Sequence, residues 1–455
     1  MSALPLRRAL AVALTAACSA TPALANPEIE TLRAEFEQKL KLLQDTYESR
    51  LKDLEGRLAS TRKENAAPVA SPVASASPAA GGLNPEISLI LQGAYVSQKD
   101  LKERHLAGFA EAGHEHGSGR GFRVDHTELV MSANIDPYFR GHVNFAIADG
   151  EVEVEEAWVK TLGLGHGLGV KGGRFLSGVG YLNEQHPHAW DFADQNLMYR
   201  ALFGQHLVQD GVQLKWLAPT STFLELGLEA ARGQFFPGSE AGGNRSGAGT
   251  LAAFAKIGGD VGASHSWRAG INLLQAKPKD REAHFEDLND LEAQTTFGGN
   301  SKTWIADFVW KWAPEGNARE RNFRLQAEIF RRRESGELFC ADNRAEGGAC
   351  LGVSAPYRSR QSGGYVQGVL QFLPGWRVGY RYDRLDPGSV DFGENPLAAS
   401  THRPVKHSLM FDYSPSEFSR FRLQFARDQA MAGISDRQVT LQYIHSLGAH
   451  GAHPF

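Results

Sequence analysis

The chain has 455 residues, a formal net charge of −4 and a hydrophobic fraction of 42%. Beyond its first residues it holds no run of the roughly 18 to 20 apolar residues that a membrane helix needs, which excludes a helical membrane protein, and its near-neutral charge gives no basis for a nucleic-acid partner. The negative mean hydropathy fits either a soluble exported chain or a transmembrane β-barrel, where alternation dilutes hydrophobicity along every strand.

Taken in order, Arg7 and Arg8, an apolar stretch over 9–18 and Ala23-Leu24-Ala25 predict a signal peptide over 1–25, cut before Asn26. Cys18 would leave with it. Cys340 and Cys350 remain, and an even pair in an exported chain predicts a loop disulfide. Residues 26–65 predict a coiled coil. Its apolar positions, Ile29, Leu32, Phe36, then Leu40, Leu43, Tyr47, then Leu51, Leu54, Leu58, repeat with a shift of eleven. That period, about 3.67 residues per turn, predicts a straight or slightly right-handed bundle, an oligomerising stalk in the periplasm. A helix packed on its own domain is the alternative. Residues 66–85, rich in Ala, Pro and Ser, form a linker.

From Glu86 the texture changes to period two. "FRLQAEIF" puts Phe323, Leu325, Ala327 and Ile329 on one face and Arg324, Gln326 and Glu328 on the other. "WRVGYRYD" and "RFRLQFA" do the same. The pattern predicts strands near 86–97, 122–135, 140–149, 152–162, 168–180, 210–218, 223–233 and 249–258. It continues near 265–276, 302–313, 321–333, 362–374, 376–386, 405–414, 420–429 and 437–447. The fourth, "VEVEEAWVK", lacks a clean apolar face. Breaks such as "DPYF", "GLGHG" and "PG" are short, whereas others, near 98–121, 181–209, 277–301 and 334–361, are long. Short turns on one side and long loops on the other is the asymmetry of outer-membrane barrels. The sequence closes on Phe455 after an alternating strand, resembling the signal that barrel-assembly machinery reads, and Trp304, Trp310, Trp312 and Trp376 are candidate girdle residues. Residues 86–455 therefore predict an all-β transmembrane barrel of about 16 antiparallel strands in a bacterial outer membrane, surrounded by its lipid.

"EEAWVK" (155–160), "VKGGRF" (170–175) and "DGVQLKWL" (210–217) resemble the phosphate-selective porin O/P family. The resemblance implies a periplasmic coiled coil ahead of a sixteen-stranded, homotrimeric barrel, with anion preference through rows of arginine and lysine. "NEQHPHAWDF" (183–192) and "SLGAHGAHPF" resemble a histidine-bearing subgroup labelled zinc-regulated TonB-dependent outer-membrane receptors. A TonB-dependent transporter needs a plug inside about 22 strands, and this chain has room for neither.

In a porin the chemistry lies in the charges lining the lumen and the loop that narrows it. Parity points Arg324, Arg377, Arg381 and Arg422 inward, opposite a cluster of Glu151, Glu153, Glu155 and Glu156, which predicts a transverse field. The third long loop, 181–209, is the candidate constriction, with His186, His188, Trp190, Asp191, Asp194, Arg200 and His206. Loop one carries His114, Glu115 and His116. If the two His-x-His pairs meet over the pore, His114, His116, His186 and His188 suit Zn²⁺ as a cofactor; otherwise they form a polar, pH-sensitive lining. His445, His450 and His453 fall on the opposite side. The sequence has no Walker loop, H-E-x-x-H or G-x-S-x-G motif, so no enzyme is expected. The leading expectation is a diffusion porin for small hydrophilic solutes or ions. The alternatives are a metal-linked binding or uptake protein and a structural tether reaching toward the peptidoglycan.

Overall fold

The chain divides into two compact units, residues 1–79 and 80–455. The computed structural model describes residues 85–101, 104–110, 119–148 and 151–448, together with Lys41. The signal peptide, coiled coil and linker, and also His114, His116, His450, His453 and Phe455, lie outside the described residues.

Eighteen strands are described, all joined in one antiparallel sheet. The first half comprises β1 (Glu86–Ser97), β2 (Gly121–Val124), β3 (Thr127–Asn134), β4 (Phe139–Ala148), β5 (Glu151–Thr161), β6 (Leu168–Leu176), β7 (Val208–Leu217), β8 (Phe223–Ala231) and β9 (Thr250–Val261). The second half comprises β10 (His265–Ala276), β11 (Arg281–Glu286), β12 (Glu292–Trp312), β13 (Asn322–Cys340), β14 (Val353–Leu373), β15 (Trp376–Asp391), β16 (Val405–Ser416), β17 (Ser419–Gln429) and β18 (Asp436–Gly448). β2 and β3 pair successive stretches of β1 and are two halves of one stave. β11 pairs with β12 alone, as the arm of a hairpin inside the 277–301 break. β1 pairs with β18 from Ser88↔Gly448 to Ser97↔Val439, so sixteen staves close into a barrel with no free edge.

Polarity is inverted relative to a soluble protein. Buried side chains on the lumen face include Lys256, Glu328, Arg332, Arg381, Asp412 and Arg422, while Leu228, Ile271, Trp304, Ile329 and Phe421 are exposed outside. In water so large an apolar exterior is an aggregation surface; a bilayer is the solvent that suits it. Aromatic residues ring the short-turn edge. Trp376 stacks on Tyr413 with centroids 4.4 Å apart, Phe421 meets Tyr443 at 4.7 Å, and Trp310 meets Phe323 edge-on at 5.8 Å. Trp304 sits eight residues up β12 from Trp312, roughly 27 Å along the strand at about 3.4 Å per residue, near the far edge of the belt.

Four strands run farther than their alternation predicts. β12 begins at Glu292 rather than 302, β13 ends at Cys340 rather than 333, β14 begins at Val353 rather than 362, and β15 ends at Asp391 rather than 386. Where these extensions begin, the outward positions turn basic, with Lys302 opposite Arg333 and Arg333 opposite Arg360. The inward positions Ala293, Phe297, Leu338 and Tyr357 pack into an apolar cluster, while the outward positions are mostly polar or charged, so the outward apolar signature of the belt is lost. Cys340, at the end of β13, is disulfide-bonded to Cys350 in the loop before β14.

Candidate functional site

β6 ends at Leu176, earlier than its pattern suggests, because the chain turns into the lumen at Ser177 and rejoins the wall at Val208. The turn depends on Gly180, whose φ is +77° and where a Cβ would collide with the Tyr199 hydroxyl and Glu328. The inserted segment contains a short 3₁₀ turn, Pro187–Ala189, and one helix, α1 (Leu197–Phe203), all seven of whose residues are buried. Asn196 caps α1 by accepting from Tyr199 N at 2.9 Å.

The barrel holds this segment around its circumference. Glu229 of β8 accepts from Gly178 N at 2.8 Å, Asn272 of β10 accepts from Gly180 N at 3.0 Å, and Glu328 of β13 accepts from Tyr181 N and Leu182 N at 3.1 Å each. Glu184 pairs with Lys215 at 2.9 Å and Lys256 at 3.4 Å. Arg332 donates to Ala201 O at 2.9 Å. Arg200, on α1, is buried with its helix.

Toward β13–β17 the segment meets guanidinium groups. Asp191 is bound by Arg324, by Arg377 at 3.1 Å and by the Gln367 amide at 3.1 Å. Burial alone would raise the Asp191 carboxyl, but Arg324 and Arg377 hold it down at about 2. Asp194 sits 2.8 Å from Arg381 and 2.6 Å from Lys406, which hold it well below the usual range against the same burial. Arg422 donates to Trp190 O at 2.6 Å and to Asp412 at 2.9 Å. The sequence-predicted lumen residues Arg324, Arg377, Arg381 and Arg422 thus converge on Trp190, Asp191 and Asp194, directly or through Asp412.

Toward β3–β5 the partners are imidazoles. His186 Nδ1 lies 3.1 Å from Glu155 Oε2 and 3.5 Å from Glu128 Oε2, and its Nε2 lies 3.1 Å from Glu156 Oε2. His188 Nδ1 is 2.8 Å from Glu128 Oε1, and the two rings stack at 5.9 Å. His126 Nε2 reaches Glu155 at 3.5 Å, and His142, stacked on Trp158, reaches Glu156 at 3.6 Å. Burial works against a proton on His186, yet Glu155 and Glu128 outweigh it and hold that ring well above the ordinary histidine range. His206 goes the other way: burial drives it down to about 4, and its Nδ1 lies 3.0 Å from Asn183 O.

Glu155 and Glu156 both face inward because β5 carries a bulge opposite β4. Asn144 pairs with Glu156 and Phe145 with Val154, leaving Glu155 as the extra residue. Skipping it restores an outward face of Val152, Val154, Ala157 and Val159, which explains why straight alternation fails on this strand. Glu153 is exposed rather than part of the buried cluster, and Glu151's side chain is outside the described set. The partners found for His186 and His188 are therefore wall glutamates; His114 and His116 lie outside the described residues. Sequence reasoning missed Glu128, His126 and Asn144, although "DHTE" at the start of β3 carries a His-x-Glu spacing. His445, on β18, lies 3.2 Å from Ser419 Oγ near the short-turn edge.

Cavities lie on both sides of the inserted segment. One of about 190 Å³ on the long-loop side is lined by Arg104, Asp125, His126, Asp194, Lys406 and Asp428, among others. The other, about 570 Å³ at the short-turn end, has Lys311, Arg324 and Arg377 against the single carboxylate Asp260.

No family model matches the chain. Among solved structures, OprB of Pseudomonas putida is 12% identical with a TM-score of 0.48, covering 81% of this chain and 94% of that one. An anion-selective porin from Comamonas acidovorans is 11% identical with a TM-score of 0.47, over 80% and 100%. The outer-membrane channel DcaP of Acinetobacter baumannii is 13% identical with a TM-score of 0.47, over 80% and 97%. An "Uncharacterized protein" of Aquifex aeolicus (strain VF5) is 30% identical over 404 residues, which are 82% of this chain and 80% of that one. On the extent of that last match, the chain belongs to the family of the Aquifex aeolicus protein.

Proposed function

We propose that this protein is a non-enzymatic channel of the bacterial outer membrane, passing small hydrophilic solutes or ions with a preference for anions. The observation that carries the reading is the inverted barrel narrowed by its own inward segment, with a cavity on either side and a cationic lining in the larger one. The apolar belt, its aromatic edge and the basic row beyond it match a bilayer boundary. Solutes crossing the barrel pass the inserted segment, where Asp191 and Asp194 are paired with fixed guanidinium and ammonium groups and Lys311 adds a further basic side chain at the short-turn end. The sequence resemblance to phosphate-selective porins points the same way, and the coiled coil over 26–65 is the expected trimerising element.

The test is planar-bilayer recording on the full-length protein in a potassium chloride gradient. Discrete conductance steps are expected, with a reversal potential on the chloride side that moves toward the potassium side in Lys311→Glu. A folded, inserted barrel that conducts nothing ends the channel reading.

A further inference from the structure

Elsewhere around the inserted segment, Asp191, Asp194, Asp412, Glu184 and Glu334 each have an arginine or lysine partner. Glu128, Glu155 and Glu156 differ. Among the described residues, their close ion-pair partners are imidazoles, with Lys171 acting on Glu156 from farther away. Buried carboxylates need a compensating positive charge, and three glutamates meeting four histidines form a set of nitrogen and oxygen donors that metals compete for.

We infer that this cluster binds one divalent transition-metal ion, held by His126, Glu128 and Glu155 of the wall and by His186 of the inserted segment. One donor atom each from His126, Glu128 and Glu155 lies within 4.8 Å of the others. His126 Nε2 is 3.5 Å from Glu155 Oε2 and 3.9 Å from Glu128 Oε1. Around a tetrahedral ion with bonds near 2.1 Å, neighbouring donors are about 3.4 Å apart, so the wall approaches that spacing with little movement. His186 Nδ1, at 3.1 and 3.5 Å from the same two carboxylates, lies beside this set of three and would complete a fourth corner by moving toward His126.

A second observation points to the same spot. Asn144 is wholly buried and directs its Nδ2 at Glu128 and Glu155, 3.0 Å from each, and at His186 Nδ1 at 3.3 Å, while its Oδ1 has no hydrogen-bond partner. An amide reversal, which exchanges nitrogen for oxygen at almost no change of shape, would present the orphaned Oδ1 to an ion between the carboxylates. An entry route exists as well, since His126 and Asp125 line the cavity open on the long-loop side. Two imidazoles with two carboxylates suit Zn²⁺ better than Ca²⁺ or Mg²⁺, which favour all-oxygen shells. A bound ion would fasten the Pro187 turn to β3 and β5. This inference does not rest on the channel reading and survives its failure.

The probe is Zn²⁺ itself, titrated calorimetrically into full-length protein in detergent after chelator treatment, with bound zinc counted by mass spectrometry. One zinc per chain is expected, weakened at least tenfold in Glu128→Gln/Glu155→Gln and in His126→Ala. It should be unchanged in His114→Ala/His116→Ala and in His284→Ala, the last an exposed histidine paired with Glu292. Wild-type uptake no greater than that of the double glutamine variant overturns the site, as does loss of binding in His114→Ala/His116→Ala. Should the glutamine variant not fold, Co²⁺ substitution of the wild type decides. Intense visible bands of a four- or five-coordinate ion support the site, and their absence overturns it.

Discussion

The inserted segment is gripped by two walls of opposite chemistry, only a few residues apart along the chain. At Asp191 and Asp194 the grip is carboxylate on the segment against guanidinium and ammonium groups on β13–β16; at His186 and His188 it is imidazole on the segment against carboxylates on β3 and β5. Arginine keeps its charge at every accessible pH and presents a rigid fork, so the first wall is a permanent clamp. Histidine, unlike arginine, can give up its proton and ligate metals, so the second is conditional. One loop thus has a fixed end and an adjustable end.

The contrast breaks most sharply at Asp191. Asp191→Ala leaves Arg324 and Arg377 without their shared carboxylate and is expected to cost about 3 kcal/mol of loop anchoring, the low end for a broken buried pair because the arginines keep some solvent. Hydrogen exchange of amides 190–197 should then accelerate by about a hundredfold; unchanged protection would mean that the neighbouring arginine contacts to Trp190 O hold the segment alone. His188→Ala removes one charge-assisted bond at 2.8 Å from Glu128 and should cost about 1.5 to 2 kcal/mol. Its signature is faster exchange confined to 185–189, and a spread into 190–197 would show that the two grips are not separable. The smallest effect sharpens the contrast by its absence. Asp191 is held at about 2 when folded, below the roughly 3.9 of a free aspartate. Its contribution is complete above pH 4 and is lost only as pH falls through about 2. Protection at 190–197, taken relative to the intrinsic exchange rate at each pH, should therefore be flat from pH 8 to pH 5, and a slope in that window would place a titrating group on the arginine side.

Much of this molecule was legible because a barrel in lipid writes its pattern residue by residue. Sixteen staves followed from alternation and from the spacing of the breaks, and β1 and β10 match their predicted bounds to the residue. Legibility failed where the physics behind the pattern changed. Beyond Trp304 on β12 and Ile329 on β13 the outward positions are Lys302, Arg331 and Arg333, so a strand remains but its apolar face does not. The pairing of 281–286 with 292–297 was hidden in the same way, inside what reads as a long loop. At the site, His186 and His188 stood out by spacing and the arginines by parity. Glu128 and Asn144 did not, because their importance comes from which staves the closed ring sets beside the inserted segment, a property of the sheet rather than of any local string.

The bulge in β5 makes the lumen editable without cost to the lipid face. Deleting Glu155 would leave Val152, Val154, Ala157 and Val159 outward and Glu156 inward, in plain alternation with β4. A single-codon insertion or deletion at this position therefore adds or removes one interior carboxylate, where a one-residue change elsewhere in a stave would turn every residue beyond it to the wrong side. Among relatives of this barrel, length differences within a stave should gather at position 155, and each would read as a change in the conditional grip rather than in the fold.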